Sequence, residues 1–319
     1  MSYEPPALLA LPTRADIDAA AARIRDHVRV TPALRGGTGF AGVDADITLK
    51  LECLQHSGSF KPRGAFNRVL SQVELPDSGL IAASGGNHGA AVAYVARKLG
   101  LRAEIFVPEI AAPAKIARLR DYGATLRVGG RDYAEALAAS RERQRATGAL
   151  EIHAYDAFEV VAGQGTLARE LERQAGPLDT LLVAVGGGGL VGGITAWHAQ
   201  GTRIVAVEPE RSRALNAALE RGEPCDVDVG GVAADSLGAR RIGAIAFALA
   251  QSRSVASVLV DDDAILRAQR LLWSELRIVA EPGGATALAA LVGGAYRPHA
   301  GERVGVVVCG ANTDPGLVS

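Results

Sequence analysis

Cysteine is scarce in this 319-residue chain, and its three copies, Cys53, Cys225 and Cys309, stand far apart without a CxxC pair. That excludes a disulfide scaffold and agrees with a reducing compartment. The six histidines show no HExxH or comparable ligand spacing, so no metal is expected. Neither sign of charge dominates: 34 basic side chains face 35 acidic ones, the net charge is −1, and no block of like charge occurs. A nucleic acid or an anionic membrane is therefore not the expected partner. Long hydrophobic runs are missing as well. The longest near the N-terminus, ALLALP, is too short to span a bilayer and lacks a basic flank and a cleavage site, so the expected location is cytoplasmic. A small-molecule enzyme fits these absences best.

What the chain does have is a regular alternation. After residue 45, the β-type runs DITLKLE, LIAAS, RAEIFVP, ATLRV, LEIHA, TLLVAV, RIVAVEP, VASVLV and RVGVVV are separated by Ala-rich helical stretches. Such alternation predicts an α/β fold, with parallel sheets flanked by helices. Ala suits it twice over, as the best helix former and as a side chain small enough to let helices lie close to a sheet. The turn ELPDSG near residue 76 and the junction after LEIH near residue 153 mark the expected boundaries. They give a large domain from 1–75 and 153–319, and a small domain from 76–152 inserted into it. A ligand cleft between the two lobes is the natural site.

Three glycine-bearing turns carry the chemistry. In TLLVAVGGGGLVGGITAW, Gly186, Gly187, Gly188 and Gly189 separate a strand from a helix and leave backbone NH groups open to a phosphate. Tight helix-sheet packing accounts for one or two of these glycines but poorly for four. Gly187, Gly189 and Gly192 also satisfy GxGxxG, with Glu208 about twenty residues on, so a nicotinamide-dependent oxidoreductase competes; a Walker loop does not, because no GK[ST] follows. The second turn, LIAASGGNHGAAVAYVA, puts Ser84, Gly85, Gly86, Asn87 and His88 at a helix start. There they can bind a carboxylate, or Ser84 or Asn87 can simply cap the helix. The third, VVVCGANTD, leaves Cys309 at the end of an apolar strand, where a small buried residue is the plain alternative.

The stretch SGSFKPRGAFN places Lys61 at a helix start, the end that disfavours a cation. A surface lysine is the ordinary explanation. Enclosure would instead lower its pKa and favour the free amine that imine chemistry needs.

Three segments in order, LKLECLQHSGSFKPRGA, ASGGNHGAAVA and VGGGGLVGG, resemble the serine/threonine dehydratase and serine racemase family of fold type II pyridoxal-phosphate enzymes. The resemblance runs from about residue 15 to 314 and includes AGQGT at 162–166, SLG at 236–238 and EPGGATALAA at 281–290. It implies a two-domain enzyme with pyridoxal 5'-phosphate in the interdomain cleft, a homodimer, and an amino acid as substrate. Lys61 corresponds to the lysine that joins the cofactor, with Phe60 packed beside it. By the same resemblance Asn87 bonds the ring oxygen, Gly186 to Gly189 with Leu190 hold the phosphate, and Gly238 and Glu281 line the ring. Ser84, the backbone around Gly86, Asn87 and His88 receive the substrate carboxylate.

Cys309 stands where the family commonly has serine or threonine facing the pyridine nitrogen. A thiol is a weak donor and no counter-anion, so the nitrogen is expected to stay unprotonated, which favours β-elimination. The implied reaction removes the Cα proton with Lys61 as general base and expels the β-hydroxyl, giving a 2-oxo acid and ammonia from L-threonine or L-serine. Serine racemisation is the alternative within the family, and a non-catalytic ligand-binding protein the alternative outside it. Family members that racemise serine carry a second serine in the asparagine turn, and that position is Gly85 here. Some members also hold a divalent cation after the EP motif. EPERSRAL supplies Glu208 and the Ser212 carbonyl, but Ala214 replaces the aspartate, so no strong metal requirement is expected. With no regulatory domain after residue 319, feedback of the biosynthetic type is not expected either.

Overall fold

The computed structural model describes residues 9–37, 39–109, 111, 113–131, 133–198 and 201–317. Its strands are β1 (Ala33–Gly37), β2 (Asp46–Lys50), β3 (Leu80–Ala83), β4 (Ala103–Val107), β5 (Thr125–Val128), β6 (Leu150–Glu151), β7 (Thr180–Ala184), β8 (Arg203–Pro209), β9 (Ala256–Val260) and β10 (Arg303–Val307). They build two sheets, one in the order β1-β2-β10-β7-β8-β9 and one in the order β5-β4-β3-β6. Every pairing is parallel except β1 with β2. Strand β1 is the element that hydrophobic patterning did not anticipate. Its sequence ALRGG lacks β-branched residues, and it sits on the edge of the sheet with a bulge between Arg35 and Gly37.

Parallel strands covered on both faces lose their alternation, as β7 demonstrates: TLLVA is buried at every position. The main core surrounds the larger sheet, while a second core wraps the four-stranded one through Ile105, Val92 and Phe66. Each fully buried Leu, Ile or Val side chain contributes roughly 1.5–3 kcal/mol. No helix among the described residues is long and apolar enough to cross a membrane.

Glycine lets three helices approach to backbone contact. The helix Phe158–Ala175 runs between the helices Lys61–Leu70 and Gly189–Trp197. A Cβ on Gly163 would stand 2.7 Å from the Gly64 Cα, and one on Gly193 would collide with Gly165 N and the Val161 carbonyl. The carboxyl ends of β3, β7 and β10 lead respectively into the asparagine turn, the four-glycine turn and Cys309. Crevices beyond the carboxyl ends of parallel strands are where ligands bind in such folds.

Candidate functional site

Lys61 opens the helix Lys61–Leu70, preceded by Phe60 as its N-cap and followed by Pro62, whose missing NH costs nothing in a first turn. No acidic residue stands in that turn, and no side chain caps it. The Lys61 Nζ donates to the Ala154 carbonyl at 2.8 Å, its one hydrogen-bond partner among the described residues, and lies 5.1 Å from the centre of the Phe60 ring. Burial lowers its pKa to about 8, although Cys309 and Glu281 pull the other way. The amine is thus half-buried at the end of a helix that disfavours a cation.

The asparagine turn is open rather than capped. Ser84 Oγ accepts from Gly86 N at 3.2 Å within the turn, and the helix Asn87–Leu99 begins at Gly86 with no side-chain cap. Its first-turn NH groups are therefore available to an anion. The Asn87 side chain is engaged on both sides: Nδ2 donates to Glu281 Oε1 at 2.5 Å, and Oδ1 accepts from Asn312 Nδ2 at 2.6 Å. The His88 ring bonds the Ile152 carbonyl at 2.7 Å, so Nε2 carries the proton, and burial holds the ring neutral by lowering its pKa to about 3. His88 offers an anion its backbone NH, not its ring.

The four-glycine turn behaves similarly. Gly188, with φ of 94°, precedes the helix Gly189–Trp197, which again has no side-chain cap. Close packing explains more of these glycines than the sequence alone conveyed. A Cβ on Gly186 would lie 3.0 Å from the Leu237 Cα, one on Gly187 would enter the Tyr155 ring, one on Gly188 would lie 2.5 Å from the Ala246 Cβ, and one on Gly189 would lie 2.9 Å from the Tyr155 carbonyl. The NH groups of Gly186 to Gly189 donate to no backbone carbonyl among the described residues. Leu190 is buried behind it.

Cys309 lies just beyond β10, buried, with Sγ donating to the Gly283 carbonyl at 3.4 Å; burial pushes its pKa up and keeps it a thiol. Glu281 caps no NH group of the following helix by its side chain and receives Asn87 instead; burial raises its pKa to about 7 against that hydrogen bond. Gly238 closes the short helix Ala234–Leu237, where a Cβ would strike the Ala234 carbonyl, and its neighbour Leu237 packs on Gly186. Three participants escaped sequence reasoning. Asn312, in the same VVVCGANTD run as Cys309, links Asn87 to the Ser57 carbonyl at 2.9 Å, and Ala154 and Tyr155 close the site over Lys61 and Gly187. Asn312 was within reach, since it shares that turn; a backbone carbonyl and a ring packed on glycine leave no motif.

Glu208 decides against a dinucleotide. It is fully buried, and its two oxygens accept from Leu215 N at 2.8 Å and Asn216 N at 2.7 Å. A carboxylate closed over a helix start cannot also take the ribose hydroxyls that a GxGxxG fold presents to its acidic residue.

A half-buried lysine and two helix starts without side-chain caps, at the carboxyl ends of parallel strands in two sheets, suit an enzyme that holds an anionic, amine-reactive cofactor. The chain belongs to the pyridoxal-phosphate dependent enzyme family, whose model matches residues 24–310. It is 37% identical over 309 residues to phenylserine dehydratase of Ralstonia pickettii, covering 95% of this chain and 94% of that one. Over 295 residues it is 37% identical to the biosynthetic L-threonine dehydratase of Haemophilus influenzae, covering 91% of this chain but only 58% of that one. Maize serine racemase has the same fold, with a TM-score of 0.90 at 30% identity, over 96% of this chain and 95% of the racemase. The residues fit the family's cofactor: one amine with a single carbonyl partner, bare NH groups at a glycine turn, and the Ser57 and Ser59 hydroxyls, buried beside Lys61 in sequence without a hydrogen-bond partner among the described residues.

Proposed function

We propose that this protein is a pyridoxal-phosphate dependent dehydratase, converting an L-3-hydroxy amino acid such as L-threonine or L-serine to a 2-oxo acid and ammonia. The observation that carries the reading is Lys61: half-buried, at a helix start, with its pKa lowered to about 8 and one carbonyl for a partner among the described residues. At pH 7 about a tenth of such amines are unprotonated. When bound, the cofactor supplies an electron sink for charge developing at the substrate Cα.

The chain's own residues do the rest. The NH groups opening the helix Asn87–Leu99, with the Ser84 hydroxyl, hold the substrate carboxylate, and those following Gly186 to Gly189 hold the cofactor phosphate. Asn87 and Glu281 would border the ring, and Cys309, a neutral thiol, would be the group offered to its nitrogen. Lys61 Nζ would take the Cα proton and the β-hydroxyl would leave with a proton as water; the released enamine becomes an imine, and addition of water to it gives the 2-oxo acid and ammonia. The lobe of residues 76–152 contributes the substrate turn and the lobe of 1–75 and 153–319 contributes Lys61, so the reaction takes place between them. A homodimer and a cytoplasmic location accompany this reading.

Incubating the purified holoenzyme with L-threonine, L-serine and L-threo-phenylserine, and measuring 2-oxo acid and ammonia, tests it. Equal amounts of both products from at least one substrate are expected. No turnover of any of them by protein that carries the cofactor would overturn it.

A further inference from the structure

We infer that Arg63 is a positioning residue whose buried clamp on Glu52 and Glu170 holds the Lys61 helix in place and keeps the Lys61 amine at the Ala154 carbonyl. The inference rests on reading Lys61 as the cofactor-bearing amine. Arg63 is 1% exposed. Its guanidinium forks onto Glu52, with Nε to Oε1 at 2.5 Å and Nη2 to Oε2 at 3.0 Å, and Nη2 also reaches Glu170 Oε2 at 3.0 Å. Nη1 adds Thr166 Oγ1 at 3.3 Å. Beside it, Lys50 Nζ donates to Glu170 Oε1 at 2.5 Å, to the Thr31 carbonyl at 2.7 Å and to Gln174 Oε1 at 2.7 Å. Two cations and two carboxylates thus balance in the interior, drawn from β2, the loop after it, the Lys61 helix and the helix Phe158–Ala175.

Such a network is an expensive way to gain stability, because apolar side chains of similar volume serve as well. What it adds is direction: a planar fork bound at both prongs fixes the orientation of the backbone that carries it. That backbone is two residues from Lys61. The seam below repeats the constraint, since Gly64 N donates to Gln164 Oε1 at 3.3 Å, Asn67 Nδ2 donates to the Glu159 carbonyl at 2.6 Å, and Gly64 meets Gly163 without room for a Cβ. Lys61 begins the first of these helices, and Ala154, which accepts from its amine, lies four residues before the second begins. No hydrogen bond among the described residues joins the network to the Lys61 amine, so its influence passes through the backbone. Misplacement of a reacting group by about 1 Å costs on the order of a hundredfold in rate.

The test compares holoenzyme of the parent, Arg63→Lys and Glu170→Gln. Arg63→Lys keeps the charge but loses the fork; Glu170→Gln leaves Arg63 paired with Glu52. Measured quantities are kcat, KM, the thermal midpoint, and the fraction of chromophore that borohydride fixes onto Lys61. In Arg63→Lys, kcat and the fixed fraction are expected to fall by about tenfold or more, with KM within about twofold of the parent; Glu170→Gln is expected to show the same split, less strongly. A folded Arg63→Lys with parent-like kcat and fixed fraction, whatever its thermal midpoint, overturns the positioning role. If that variant does not fold, a parent-like Glu170→Gln overturns it. Failure of the underlying reading is separate: the parent itself would then show no borohydride-fixed label on Lys61.

Discussion

Asn87 Nδ2 donates to Glu281 Oε1 at 2.5 Å, tying the helix start after β3 in the smaller sheet to the start of the helix Pro282–Val292 beside the larger one. Glu281 is 5% exposed, and the bond comes from a neutral amide, which cannot offset the loss of water as a cation would.

The first prediction concerns pH. Burial raises Glu281 from an ordinary 4.5 to about 7, so the folded protein binds a proton there that the unfolded chain releases. Its contribution to stability is complete below pH 4.5 and lost as pH rises through 7, an effect of about 3 kcal/mol at most. His88 acts oppositely: burial holds it neutral down to about 3, so it favours the folded state increasingly as pH rises from 3 to 6.5. The diagnostic is therefore the difference between the parent and Glu281→Gln. Denaturant titrations at pH 5, 6, 7 and 8 should show the parent losing stability relative to the variant across that range. A constant difference would contradict the raised pKa.

Lys61→Ala removes both the amine and the bond to Ala154. Dehydratase activity should fall by at least about a thousandfold, and borohydride treatment should fix no label onto the chain. Near-normal turnover by the purified variant would sink the assignment of Lys61.

The helix seam predicts a stability contrast between two glycines. Gly193→Ala drives a Cβ into Gly165 N and the Val161 carbonyl, which are backbone atoms unable to swing aside. A loss of about 1–3 kcal/mol is expected. Gly129→Ala meets nothing within 4 Å and should stay within about 0.5 kcal/mol of the parent. Thermal denaturation of the two variants side by side checks both; equal midpoints would show that the helices can separate at little cost.

How far the sequence carried follows from the range of each interaction. Strands, helix starts and glycine turns are local, so TLLVAVGGGG and LIAASGGNH each spell out strand, turn and helix in consecutive residues. Strand β1 was illegible because ALRGG has a strand's place without its composition. The partner of Lys61 is a carbonyl 93 residues away, and Arg63 finds Glu170 at a separation of 107. Neither leaves a pattern in the chain, since a backbone acceptor has no residue identity and a buried ion pair looks like two surface charges. The glycines were legible as a turn, but their crowding against Tyr155, Ala246 and Leu237 was not.

The last prediction separates elimination from racemisation. Delivering a proton to the face of Cα opposite Lys61 takes a side chain in the asparagine turn, and the position that would carry it is Gly85. The structure gives that position little room: a Cβ there would stand 3.1 Å from Val107 Cγ1 and 3.2 Å from the Ala111 Cβ. The neighbouring Ser84 hydroxyl is drawn inward, accepting from Gly86 N, and the His88 ring is bonded to Ile152 and stays neutral. With no side chain at Gly85 to carry a proton to that face, its return there should be slow while loss of the β-hydroxyl proceeds. L-serine should therefore yield pyruvate and ammonia with D-serine below about a tenth of the pyruvate. Chiral chromatography of the reaction mixture, run alongside the pyruvate assay, measures both products; D-serine appearing as fast as pyruvate would mean that another group supplies the proton and that the bare turn at Gly85 does not set the outcome.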